Sequence, residues 1–174
     1  MTESGSPERG ATRLIFLVSG MAQSPWAPLV PYAKARIHAN DQLFGLLLLC
    51  FGAGSMSSMP AVGAIVDRYG CERLIQCSAA AIFLGMAAVS VAPSSTALAL
   101  ALLLFGASIG AIDVVMNVQA SLVERKSGEN LMSGFHALYS VGGFPDASMT
   151  RRDLARSVFP SFFQAPEHAR WREQ

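Results

Sequence analysis

The feature that most constrains this chain is a long stretch with almost no charge. Between Leu74 and Val123, a run of 50 residues, Asp113 is the only formally charged side chain. Over the whole chain 14% of residues are charged and 52% are hydrophobic, whereas soluble domains carry about 25% charged residues. Such a run is long enough to cross a hydrocarbon core of ~30 Å more than once. It therefore predicts membrane-spanning helices.

Apolar segments of spanning length recur along the chain. We expect an all-α integral membrane protein with four transmembrane helices and the start of a fifth, over residues 12–32, 42–66, 74–91, 97–123 and 131–144. Residues 1–11 form a polar cytoplasmic lead. Pro25, Pro28 and Pro31 predict a kink or an unwound turn in the first span, since proline removes a helix hydrogen bond. Asn40 or Asp41 is placed to cap the second helix.

The pattern changes abruptly after Phe144. The last 30 residues hold five of the 13 Lys and Arg side chains and show no membrane periodicity. The apolar helix before them is too short to cross, given about 1.5 Å of rise per residue. We expect residues 145–174 to be a polar tail foreign to the fold, produced by a truncation or frameshift near Phe144.

The basic residues between the spans predict an orientation. Six of them lie on one predicted side, and the opposite side carries only Lys34 and Arg36. The six are Arg9, Arg13, Arg68, Arg73, Arg125 and Lys126. Because basic loops stay in the cytoplasm, we expect a cytoplasmic N-terminus in a cell (inner or plasma) membrane.

Several functional classes find no support in the sequence. The net charge of +1 argues against nucleic acid as a partner. Cys50, Cys71 and Cys77 lack the spacing and the partner His of a metal site. No nucleophile–base pair or phosphate-binding glycine loop is present. We therefore expect a non-enzyme without cofactor or metal.

The fourth span carries a face of small and polar residues. At 100° per residue one stripe collects six of them: Gly106, Gly110, Asp113, Asn117, Ser121 and Glu124. A carboxyl group within a membrane is costly, so Asp113 must face a cavity or a partner, or be protonated. It is a candidate for proton or substrate coupling, and the alternative is one structural hydrogen bond between helices. The Gly106–Gly110 pair predicts close packing within the chain.

Three further polar residues are candidates with the same ambiguity. Asn117 and Gln119 are coupling candidates, although amides often only hold helices together. His136 opens the fifth helix, with Tyr139 three residues later. A histidine there can relay protons or bind substrate, or it can lie at the interface without a role.

The charged turn at residues 63–73 carries a family resemblance. Gly63, Asp67, Arg68 and Gly70 match the motif G-x-x-x-D-R-x-G-R-[RK], which lies between the second and third helices of major facilitator superfamily transporters. Cys71 and Glu72 stand where that family usually has two basic residues, and Arg73 follows one place later. The resemblance implies a gating loop in which a basic residue reaches an acid at the end of the fourth helix, here Glu124.

A second motif is similar to one branch of that superfamily. Asp113 and Asn117 resemble the acid-x-x-x-Asn pattern on the fourth helix of fucose-permease-like transporters, where the acid takes part in proton coupling. The run from Glu124 to Gly143 is also similar to that branch. The first span has Gln23 and no carboxylate, so a sugar specificity is not implied.

The resemblance implies the N-terminal half of a helical bundle in a secondary transporter. Its partners would be the lipid bilayer and a small solute, moved with H⁺ as a symporter or without it. Because the superfamily rocks two six-helix halves against each other, we expect this chain to be incomplete and inactive without a C-terminal half. The alternative is a small four-helix membrane protein that acts as an oligomeric or interaction subunit.

Overall fold

The computed structural model describes residues 6–24 and 26–144, and all of their regular structure is α-helical. Six helices follow one another: α1 Ser6–Gln23, α2 Trp26–Arg36, α3 Asp41–Tyr69, α4 Cys71–Val91, α5 Ser95–Ser127 and α6 Met132–Gly143. Within this part of the chain three helices are long and apolar enough to cross a membrane, namely α3, α4 and α5. The predicted polar tail, residues 145–174, lies outside the described residues.

The first predicted span, residues 12–32, is not one helix. It is divided between α1, which ends at Gln23, and α2, which begins at Trp26, with Ser24 in a turn between them. The predicted interruption is thus confirmed. Its physical reason is that a residue preceding proline disfavours the helical conformation. The start was wrong, because α1 begins at Ser6 and includes residues 6–11, which we assigned to the lead.

The charged turn between the second and third spans is shorter than predicted. Asp67 and Arg68 belong to the last turn of α3, and α4 begins at Cys71. Only Gly70 separates the two helices, with φ of 79°. Glycine adopts this conformation without steric cost, so a single residue is enough for the reversal.

Helix α3 packs closely along α5 through glycines. A Cβ on Gly106 would overlap the carbonyl oxygen of Phe51, and a Cβ on Gly54 would overlap that of Leu103. At Gly110 the space is taken by Ser55 and by the Ser58 hydroxyl. These contacts agree with the predicted packing role of the Gly106–Gly110 pair within the chain. Close backbone approach is the usual way in which membrane helices gain packing energy.

Helix α5 is the centre of the bundle. It contacts α1, α3, α4 and α6, and its fully buried side chains include Leu98, Phe105 and Val115. On the α4 side, Gly85 lies against Phe105. Trp26 and Phe51 complete an aromatic cluster with Phe105, with ring centroids 5.4–5.6 Å apart. The cluster joins α2, α3 and α5.

Helices α1 and α6 form a second close pair. Gly20 lies against the backbone of Tyr139, and Gly142 lies against the backbone of Leu17. Between them the rings of Phe16 and Phe135, both buried, stack at 5.5 Å. The glycines set the distance between the helices, and the stacked rings fill the space beside them.

Polar side chains form ion pairs at one end of the bundle and a helix cap at the other. At one end Arg9 pairs with Glu129 at 3.1 Å, and Lys126 pairs with Glu8 at 3.0 Å. The beginning of α1 and the end of α5 therefore lie on the same side, as the sequence predicted. At the other end Asn40 accepts a hydrogen bond from the Leu43 N–H at 2.8 Å and caps α3, which confirms the predicted cap.

The C-terminus of α4 is closed by Arg36. Its guanidinium donates to the carbonyl oxygens of Val89 at 2.6 Å and Ala92 at 3.0 Å, and also to that of Ser90. The last carbonyls of a helix have no partner within the helix, and the planar guanidinium supplies several donors at once. Arg36 thus anchors the end of α2 to the end of α4.

Candidate functional site

The site centres on Asp113 of α5. Asp113 lies 18 residues after Ser95 and 14 before Ser127, which places it about 20 Å from the nearer helix end. Its side chain is partly buried, and the neighbours Ile112, Val115 and Met116 are buried apolar residues. A carboxyl group is thus held deep within an apolar helix.

Gln23 and Tyr139 lie beside Asp113. The Tyr139 hydroxyl donates to Oε1 of Gln23 at 3.0 Å, and the Asp113 carboxyl interacts electrostatically with both side chains. Within the described residues, Nε2 of Gln23 and Oδ1 of Asp113 are buried and have no hydrogen-bond partner. Each of these two side chains thus keeps one buried polar atom without a hydrogen bond. Three helices, α1, α5 and α6, each contribute one polar group.

Asn117 turns away from this cluster. Its Nδ2 donates to the backbone carbonyl oxygen of Asp113 at 2.7 Å, one turn back along α5. It lines an open groove of about 570 Å³ together with Asp113, Ser121, Arg125 and Met59 of α3. The predicted stripe on α5 is thus divided: its glycines pack on α3, whereas Asp113, Asn117 and Ser121 border this groove.

Gln119 and His136 are not brought to Asp113. Gln119 borders a separate groove between α1 and α4, beside Ile15 and Glu72. The exposed His136 ring is in contact with the carbonyl oxygen of Met132 through Nδ1 at 3.0 Å, and it meets Phe16 edge-on at 5.4 Å.

The predicted gating-loop residues lie together at the α3–α4 reversal. Gly63, Asp67, Arg68, Gly70 and Arg73 are all exposed, and the Arg68 guanidinium stands 5.6 Å from the centre of the Tyr69 ring.

Glu124 makes a different contact from the one that the resemblance implies. Its Oε2 accepts hydrogen bonds from the N–H groups of Leu131 and Met132, both at 2.8 Å, and so caps the start of α6. The Glu124 carboxylate is thus bound at the start of α6.

Gln23 and Tyr139 were not among the predicted site residues. The available signal was weak, since Gln23 ends the apolar run of α1 and Tyr139 lies next to Ser140 in α6. Nothing in the spacing along the chain pairs residues 23 and 139. Their meeting depends on the contact between α1 and α6.

The outer surfaces define the class of protein. Leu49 is 68% exposed, Met56 76% and Leu84 72%, and each belongs to a helix of spanning length. Exposed apolar side chains on long apolar helices are suited to contact with lipid tails. The chain is a multi-pass helical membrane protein.

The chain is similar to membrane proteins, two of which are named as transporters. The chain is 46% identical over 145 residues to an uncharacterized MFS-type transporter of Yersinia pestis. It is 39% identical over 127 residues to the uncharacterized transporter y4wD of Sinorhizobium fredii, and 31% identical over 127 residues to the membrane protein MosC of Rhizobium meliloti. These matches cover 83%, 73% and 73% of this chain. They support a transporter of the major facilitator superfamily (MFS) and point away from an enzyme.

The similarity covers only part of each relative. The chain spans 38% of the length of the Yersinia protein, 34% of y4wD and 31% of MosC. No family model matches the chain, and no solved structure shows significant similarity to it.

Proposed function

We propose that this chain forms part of an MFS secondary transporter that moves a small solute across the cell membrane, with Asp113 as the coupling carboxyl. The observation that carries the proposal is the placement of Asp113 deep in α5, beside Gln23 and Tyr139 and next to an open groove. An ionisable residue at such depth is costly to keep and is typical of substrate or ion pathways. We propose that this carboxyl takes up and releases a proton as the solute moves, and that the transporter works as an H⁺ symporter.

Four membrane crossings fit the ion pairs at the ends of the bundle. The Arg9–Glu129 pair holds the start of α1 and the end of α5 on one side. A chain that starts and finishes on the same side crosses an even number of times, and α3, α4 and α5 provide three crossings. We therefore assign the fourth to α1 and α2 together, with α6 as the start of a fifth.

The N-terminus is assigned to the cytoplasm, on the side that carries six of the basic residues. The test is labelling with a membrane-impermeant maleimide in intact cells, after the three native cysteines are replaced. His38→Cys should be labelled from outside, and Asn130→Cys should be labelled only after lysis. Both residues are exposed and lie at opposite ends of the bundle. The reverse pattern would overturn the orientation.

The exposed loop residues Gly63, Asp67, Arg68, Gly70 and Arg73 are proposed as a gate on the cytoplasmic side. Their exposure within the described residues leaves them available to helices beyond these six. Gln119 and His136 lie apart from Asp113, and we propose them as further coupling residues of the complete transporter.

We also propose that transport needs more helices than these six. The matched relatives are between two and three times as long as the chain, and the Asp113 groove is open along one side. Reading the other frames of the gene beyond the codon for Phe144 would test the frameshift idea. If no further apolar spans are encoded there, that idea fails.

The coupling role is tested in a complete transporter. Residues 6–144 replace the matching segment of the Yersinia pestis relative, and the chimera is reconstituted in liposomes that contain a pH-sensitive dye. Radiolabelled sugars, amino acids and organic acids are screened for uptake driven by a pH gradient. Asp113→Asn should abolish the gradient dependence, whereas Asp41→Asn, at an exposed helix start, should preserve it. Gradient-driven uptake that survives Asp113→Asn would exclude Asp113 from coupling.

The same uptake assay, applied to the purified chain, distinguishes a part of a transporter from an interaction subunit. If the purified 174-residue chain transports solute by itself, the requirement for further helices is wrong. If it transports nothing and forms a defined oligomer in detergent, the interaction-subunit alternative gains support.

A further inference from the structure

The Gln23 side chain lies between two groups that the proposed mechanism treats separately. On one side its Oε1 accepts from the Tyr139 hydroxyl at 3.0 Å. Its Nε2 is buried without a partner, as is Oδ1 of Asp113, and the Gln23 side chain lies close to the Asp113 carboxyl. A primary amide has an acceptor at one position and donors at the other. Gln23 is therefore able to hold both neighbours at once.

We propose that Gln23 is a positioning residue whose amide passes the protonation state of Asp113 on α5 to Tyr139 on α6. This inference rests on the proposed function, because it takes Asp113 as a group that gains and loses a proton. It adds a residue and a route, from α5 through α1 to α6.

The two protonation states require opposite orientations of the amide. An ionised Asp113 only accepts hydrogen bonds, so Nε2 of Gln23 has to face it. Oε1 then accepts from Tyr139, and this hydrogen bond is present in the structure. A protonated Asp113 donates its O–H, so Oε1 turns to receive it. Nε2 then faces Tyr139, which changes from donor to acceptor. No proton leaves Asp113 in this step, since only the hydrogen-bond directions change.

The Gln23 amide can turn about a soft side-chain torsion, and the groups around Asp113 are known. The terminal amide torsion of glutamine is broad and roughly two-fold. Among the groups that face Asp113, Tyr139 of α6 is titratable, Gln23 of α1 and Met59 of α3 are uncharged, and Arg125 of α5 borders the same groove. On α4, Glu72 borders the separate groove of Gln119.

The consequence reaches α6 through packing. The backbone of Tyr139 lies directly against Gly20, one turn before Gln23 on α1. A change in the hydrogen bond of Tyr139 therefore acts where α1 and α6 are in closest contact. Cores that are packed this tightly respond by switching between arrangements and not by gradual deformation.

The test is a pH titration of the 174-residue chain in lipid nanodiscs by infrared difference spectroscopy. The carboxylic C=O band of Asp113 is identified by its loss in Asp113→Asn, and the phenol modes of Tyr139 by their loss in Tyr139→Phe. Between about pH 4 and pH 9, below the usual ionisation of tyrosine, the Tyr139 modes should change with the midpoint of the Asp113 band. Gln23→Met, of similar size but without the amide, should remove the Tyr139 response while the Asp113 band still titrates. Gln76→Met on α4 should leave both signals unchanged.

The outcomes for the relay through Gln23 and for the coupling role of Asp113 can be told apart. A Tyr139 response that persists in Gln23→Met, or is missing from the unmodified chain while Asp113 titrates, overturns the relay and leaves the coupling role of Asp113 intact. An Asp113 band that does not titrate overturns the relay too, and the uptake experiment then decides the coupling role independently. If Gln23→Met loses its helical circular dichroism signal, Gln23→Leu is measured in its place and judged by the same two bands.

Discussion

Gly20 on α1 lies against the carbonyl oxygen of Tyr139 on α6 so closely that no Cβ fits between them. This contact brings the Tyr139 hydroxyl within reach of Gln23, one turn further along α1. The distance between two helices thus decides whether the polar cluster around Asp113 exists.

Replacement of this glycine should separate the two helices. We expect Gly20→Ala to lower the free energy of unfolding by about 1–3 kcal/mol, as overpacking does elsewhere, and to break the Gln23–Tyr139 hydrogen bond. Unfolding in mixed micelles with increasing SDS, followed by circular dichroism, measures the loss. Gly10→Ala on the same helix has open space around the added methyl group and should be neutral. Equal stability of the two variants would contradict this packing.

The α3–α5 contact makes a parallel prediction. In Gly106→Ala the new methyl group would meet the carbonyl oxygen of Phe51, so we expect a loss of about 1–3 kcal/mol in the same assay. The matched control is Gly52→Ala on α3, where no atom lies within 4 Å of the added Cβ. If Gly52→Ala is the more damaging change, the helices are rotated relative to this arrangement.

Arg36 should contribute more to stability than its neighbour Lys34. Arg36→Gln leaves carbonyls of Val89, Ser90 and Ala92 without their donor, and hydrogen bonds to charged groups contribute about 1.5–3 kcal/mol. Lys34→Gln removes only an exposed ion pair with Asp41, which adds little to stability because solvent screens it. Arg36→Lys should recover little, since an ammonium lacks the planar fork. Stability equal to the unmodified chain in Arg36→Gln would rule out the anchor.

Glu124 should protect the first amides of α6. Loss of a capping side chain costs about 1 kcal/mol, so in Glu124→Ala we expect roughly fivefold faster hydrogen exchange at Leu131 and Met132. Glu129→Ala removes the exposed pair with Arg9 and should leave these two amides unchanged. Exchange that responds equally to both variants would show that charge, and not the cap, controls the start of α6.

The long apolar helices were predictable because their pattern is local. The spans predicted at 42–66, 74–91 and 97–123 correspond to α3, α4 and α5, whose ends differ by one to four residues where they differ at all. The first span is divided between α1 and α2. Its prolines predicted this interruption, but the apolar content continues across it, so hydropathy did not give the bounds of the two helices.

The candidate site was only half predictable. Asp113 stands out in sequence as the single charge in its 50-residue run. Its partners do not, because residues 23, 113 and 139 meet only through the rotation of α1 and α6 about their glycine contacts. Glu124 shows the same limit, since its cap on α6 depends on how the chain returns after Gly128.

The sequence by itself determined that this is a membrane protein with a costly polar group, because Asp113 is the one carboxyl in a long uncharged run. The cost of burying charge is a property of the residue and its neighbours along the chain, so it can be read without coordinates. The partners of that group were decided by tertiary structure alone. Helix rotation depends on which glycines admit a neighbouring backbone, and this packing is set between segments far apart in the chain.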